Sequence, residues 1–194
     1  MENNYLALFY DLIAHPGKGL SRAREDRPWI FLSAVIILSV ISIATGTTLF
    51  VSRFTGVRRV ALFSNLFLVM VLVAVFWIVN VGILHFFAEV WGKKGSVIDL
   101  FITLGLAIFP SIFVSPLSLL VEGLGGGRIF FQSFFTVVLL LWCFLLTLSA
   151  IKEVYSSATF EALLILLTPV VLFMVLSILL PLGCILLAML SLPL

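Results

Sequence analysis

Residues 29–51 read WIFLSAVIILSVISIATGTTLFV, a run with no charged side chain that starts directly after Pro28 and is followed by Ser52 and Arg53. At about 1.5 Å per residue a helix of that length is about 34 Å long, enough to cross a hydrocarbon core about 30 Å thick. Its apolar residues fall on every face, whereas a membrane β-strand would alternate polar and apolar positions. Pro28 suits the first position of a helix, where its missing N–H costs nothing, and Trp29 suits the membrane interface.

The same reading extends outward. Apolar residues make up 63% of the 194-residue chain and charged residues only 10%, with a mean hydropathy of +1.32. A soluble domain has about 45–50% apolar and about 25% charged residues. Five stretches are long and apolar enough to span: about 29–52, 60–88, 100–121, 129–151 and 162–192. The expected fold class is therefore all-α, a polytopic membrane protein with a five-helix transmembrane bundle. Residues 1–27 form an N-terminal segment and 28–194 the membrane domain.

Within the N-terminal segment, NYLALFYDLI (4–13) places Tyr5, Leu8, Phe9 and Leu12 at helical spacing with Asp11 opposite. It is too short to span and suits an amphipathic helix in the headgroup layer. No basic region and apolar core of the signal-peptide kind precede it, so the first span is expected to direct insertion itself. The third span, LFITLGLAIFPSIFVSPLSLLV (100–121), carries Pro110 and Pro116, which predict a kink, with Ser111, Ser115 and Ser118 near enough to bond the backbone groups it frees. The last stretch contains Pro169, Pro181 and Gly183, with Pro193 beyond it, and reads as one tilted helix or a broken one.

Orientation follows from Lys and Arg beside the span ends. Lys18, Arg22, Arg24, Arg27, Lys93, Lys94 and Lys152 fall on one side, and Arg53, Arg58, Arg59 and Arg128 on the other. The N-terminus is expected inside and the C-terminus outside. The net charge of +2 is spread along the chain, with no basic stripe of the nucleic-acid kind.

The densest polar stretch is ILHFFAEVWGKKGSVIDL (83–100). His85 and Glu89 share a helix face and Asp99 lies across the loop, a set that could hold a metal ion or relay protons. The stronger reading is a wet turn between spans: Gly92 and Gly95 flank the lysines, and Ser96 or Asp99 caps the next helix. Asn80 lies deeper and suits an interhelical hydrogen bond. Glu122 and Gln132 flank the Gly-rich hairpin EGLGGGR (122–128), which lacks a phosphate-loop lysine. Cys143 and Cys184 fall inside apolar stretches, outside any zinc or redox spacing. No nucleophile constellation is found around His15 or His85, so no enzymatic activity, cofactor or metal is expected.

Several stretches together resemble the Yip1 domain family: HPGKGL (15–20) with EDRPWI (25–30), WGKKGS (91–96), LGLAIFP (104–110), and LLWCFLLTLSAIKEVYSSATFEALLILL (140–167). The matching motif positions are Pro28, Gly92, Lys93, Gly95, Gly105 and Pro110, while Leu106 stands where the family often has Tyr. The resemblance implies five closely spaced spans. It also implies a role in membrane organisation or traffic, since eukaryotic relatives are implicated in vesicle transport and bind Rab GTPases, typically with a longer cytosolic N-terminal arm. The compact form is similar to bacterial or archaeal members and implies a cytoplasmic membrane. Membrane lipids, a membrane-protein partner or a second copy are the expected partners, contacted through Lys18, Arg22, Arg24, Lys93 and Lys94. The alternative reading is a small transporter or channel with a polar path near Asn80, His85 and Glu89.

Overall fold

His15 and Pro16 divide the N-terminal segment into two helices, α1 (Tyr5–Ala14) and α2 (Pro16–Asp26), in the computed structural model, which describes residues 5–55 and 61–190. Gly19 lets the two approach closely, because a Cβ there would stand 2.8 Å from the Leu12 backbone nitrogen. Leu8, Leu12, Leu20 and Ala23 are buried in the same apolar core as the membrane helices. Residues 16–26 of the N-terminal segment are thus helical and packed inward on one face. Arg27 closes α2 in the left-handed conformation, φ 45°, and Pro28 prevents the helix from continuing.

The long helices follow: α3 (Trp29–Thr55), α4 (Ala61–Val90), α5 (Val97–Ala107), α6 (Val114–Glu122), α7 (Arg128–Tyr155) and α8 (Thr159–Leu190). No strand occurs among the described residues. Four segments there are long and apolar enough to cross a membrane: Trp29–Thr47, Met70–Val90, Val97–Glu122 and Arg128–Tyr155. The apolar part of α8 with described side chains, Thr159–Val175, is shorter, but the helix itself runs unbroken through Pro169 and Pro181 to Leu190. The last stretch is therefore one helix. Residues 56–60, with Arg58 and Arg59, and 191–194, with Pro193, lie outside the described residues, as do the side chains of Arg53 and Cys184.

The third span is the axis of the bundle. Every residue from Ile102 to Ala107 is buried, and α5 and α6 are joined through a 3-10 turn at Phe109–Phe113 with Pro110 as its second residue. The predicted kink is present, but the groups it frees are satisfied mainly from outside. Ser42 of α3 donates its hydroxyl to the Ile112 carbonyl at 2.7 Å and accepts from the Ser115 N–H at 2.8 Å, and Ser39 donates to the Ile108 carbonyl at 3.4 Å. Of the three serines expected to do this, Ser111 donates to the Ile108 carbonyl. Ser118 instead accepts from Gln132 Nε2, and Ser115 contributes its backbone N–H. Gly46, one turn beyond Ser42, lies against Val114 and Ser118 with no room for a Cβ.

Candidate functional site

Gly92 ends α4 with φ 72°. Its N–H bonds the Glu89 carbonyl and that of Lys93 bonds the Ala88 carbonyl, the paired bonds of a Schellman ending. The chain then turns through Lys94 and Gly95, and Ser96 opens α5 by accepting the Asp99 N–H. Gly95 lies flat against the Tyr155 ring; a Cβ there would come within 2.6 Å of it. These local rules set the α4–α5 loop beside the end of α7.

Asp99 sits in the first turn of α5, only 8% exposed, where the positive end of the helix dipole favours a carboxylate. Each of its oxygens takes a guanidinium from the N-terminal hairpin: Arg24 Nε at 3.3 Å on Oδ2 and Arg27 Nη2 at 3.1 Å on Oδ1. Arg24 also donates to the Glu153 carbonyl at 3.0 Å, one of the carbonyls a helix end leaves without a partner. One arginine thereby joins α2, α5 and α7. The left-handed turn at Arg27 aims the second guanidinium at the same carboxylate.

Lys93 reaches α8 and bonds Glu161 Oε2 at 2.6 Å, while that oxygen also accepts the Ala158 N–H at the start of the helix. The Lys93 hydrogen bond, then that of Ala158, holds the Glu161 carboxyl below its ordinary range. Lys152 donates to Thr159 across the α7–α8 turn. Arg22 lies between Asp11 and Asp26 on the hairpin. α2, the α4–α5 loop and the α7–α8 turn therefore meet at one end of the bundle, and most of the basic residues assigned to one side are tied there by ion pairs.

His85 and Glu89 do come together, with Nε2 and Oε1 3.3 Å apart. The third member of their group is Tyr155, whose hydroxyl lies 2.7 Å from His85 Nδ1. Asp99 belongs to the arginines instead, and no cluster of three or more metal-ligating side chains occurs among the described residues. Asn80 lines a cavity of about 380 Å³ between α3, α4 and α5, with Trp77, Phe101 and Leu104 among its otherwise mostly apolar walls; His85 and Glu89 are not part of it. Lys18 and Lys94 are exposed on the charged end. Sequence reasoning missed Tyr155, Glu153 and Glu161 as partners. The only signal for Glu161 was its place three residues after Ala158, the spacing of a capping box.

Neither the curated proteins nor the solved structures yield a match to this chain. The family model of the Yip1 domain, by contrast, matches residues 10–180, from the first helix of the N-terminal hairpin deep into α8. The interlocked end just described lies wholly within that match, and the chain belongs to the Yip1 domain family.

Proposed function

We propose that this chain is a non-enzymatic integral membrane protein that crosses the bilayer five times, with its N-terminus inside and its C-terminus outside, in a bacterial or archaeal cytoplasmic membrane. It acts through protein or lipid partners in membrane organisation or trafficking. The observation that carries this reading is the use made of the charged groups. Asp99, Arg24, Arg27, Lys93 and Glu161 are spent on each other, which builds a rigid end rather than a reaction centre. The helical backbone of α8 reaches Leu190, about 48 Å at 1.5 Å per residue, ample for a fifth crossing. Exposed Leu6, Tyr10 and Ile13 of α1 suit the headgroup layer beside that end.

Lys18 and Lys94 present the contact surface, with Arg22 beside them; Arg24 and Lys93 hold it in shape. Photocrosslinkers placed at Lys18 and Lys94 in native membranes test this. Discrete adducts with a membrane protein, a lipid or a second copy, reduced by Lys94→Glu, are the expected result. Adducts no different from those at an exposed α4 position such as Phe76 would sink it. Topology is read separately: in a chain with Cys143 and Cys184 replaced, cysteines at Lys94 and Gly126 should label from opposite sides.

A further inference from the structure

A groove of about 640 Å³ lies between α3, the kinked third span and α7, walled by Ile43, Gly46, Val114, Gln132, Thr136 and Cys143 among others. This is within the about 300–1,000 Å³ of small-ligand sites. We propose that it is a phospholipid site, taking one acyl chain along its length and the phosphate at Arg128. The site goes beyond the function proposed above and sits at the other end of the spans from the ion-paired surface.

Three observations commit the groove to that occupant. It opens on the outside of the bundle, since Val137 and Leu140 in its wall are more than half exposed. At that depth its surroundings are hydrocarbon, and a groove left empty forfeits the contacts of its lining. Three of its four hydroxyls are already spent, Thr47 on the Ile43 carbonyl, Thr136 on the Gln132 carbonyl and Ser111 on the Ile108 carbonyl, and the fourth belongs to Ser133. What remains facing the ligand is mostly apolar, which suits an acyl chain and not a water-filled path. Along α7 the walls run from Gln132 to Cys143, about 16 Å at 1.5 Å per residue, which is half of a hydrocarbon core about 30 Å thick. That is the length of one leaflet.

The headgroup end is polar in the matching sense. Gln132 gives one amide N–H to Ser118 and retains further bonding capacity. Arg128 stands one turn earlier on the same face of α7, half-buried at the first position of the helix. No side chain caps that helix start; the Arg128 N–H is taken by the Gly125 carbonyl, and the helix dipole adds to the guanidinium in favouring an anion.

The test uses the full chain in phosphatidylcholine vesicles containing a phosphatidylglycerol with a mid-chain diazirine. Adducts should concentrate on α7 between Gln132 and Cys143 and on α3 near Ile43–Thr47. Unlabelled phosphatidylglycerol should displace them and diacylglycerol should not. Thr136→Trp, at an exposed position, should abolish them, and Arg128→Gln should weaken displacement about tenfold, the loss of one charge-assisted contact. Adducts spread evenly over α4 and α7 would overturn the proposal without any variant, as would chain-to-chain crosslinks at these positions. Equal displacement by diacylglycerol would also overturn it, by showing that hydrocarbon alone is bound. None of these readouts depends on a partner at Lys18 or Lys94, so this site and the contact surface can fail separately.

Discussion

Gly105 shows how a single position can carry a family motif for a steric reason. It lies in the middle of α5, where glycine is worth about 1 kcal/mol less than alanine in an isolated helix. Propensity would therefore favour Gly105→Ala. The tertiary setting reverses the sign, because a Cβ there would stand 2.6 Å from Leu32 Cδ1 and 2.7 Å from Trp77 Cζ2, and the Trp77 ring is itself set against Phe101 at 4.0 Å between centroids. Overpacking of this kind costs about 1–3 kcal/mol. Gly105→Ala should lower the thermal midpoint in detergent, whereas Gly17→Ala, with open space around it, should leave it unchanged or raise it. The same motif was visible in the sequence as LGLAIFP, yet nothing local to it named Leu32 or Trp77. Those contacts exist only after α3 and α4 pack on α5.

At the scale of elements, the third span is a helix that its own sequence breaks and its neighbour repairs. Pro110 makes the kink legible in the sequence, but nearness along the chain points to the serines of the same helix for its repair. The Ser42 hydroxyl, 73 positions before Ser115, serves one orphaned carbonyl and one orphaned N–H together. Removing it strands two groups where no water can substitute, so Ser42→Ala should cost about 1–3 kcal/mol. Ser33→Ala should cost much less, since that hydroxyl only back-bonds the Trp29 carbonyl at an exposed site. A comparison of the two midpoints checks the difference. The start of α8 carries a pH-dependent counterpart. Glu161 has its folded-state pKa lowered by Lys93, so its contribution is present above the unfolded value and is lost as pH falls through the lowered one. Thermal midpoints measured across the acid range should therefore fall more steeply in the native chain than in Glu161→Gln. Equal slopes would show that the Lys93 contact is not felt.

For the whole molecule, apolar run lengths were enough to read an all-helical membrane protein, because the bilayer imposes one constraint on every spanning segment. The pairing of its charged end was not readable, since an arginine before the first span can meet any acid the fold brings to it. Asp99 was visible as a loop-end carboxylate and was grouped with His85 and Glu89 by nearness in sequence. In the folded chain it receives Arg24 and Arg27 instead. Both arginines are over one-third exposed, which lowers the worth of each pair. The carboxylate is buried, however, and an Asn there keeps one acceptor oxygen but loses the charge and turns an NH2 donor toward the other guanidinium. Asp99→Asn should cost about 1–3 kcal/mol, and the loss should fall on the docking of one piece, the α1–α2 hairpin. That hairpin also buries Leu8, Leu12, Leu20 and Ala23, so it should loosen rather than detach. Trypsin, which cuts after Lys18, Arg22 and Arg24 but not at the Arg27–Pro28 bond, reads the difference in proteoliposomes with this end exposed. Cleavage should be faster in Asp99→Asn than in the native chain at the same temperature, while Glu89→Gln, which leaves the arginines paired, should cut at the native rate. If Asp99→Asn and Glu89→Gln cut alike, the hairpin is held by its apolar face alone and the arginines serve only to orient the chain.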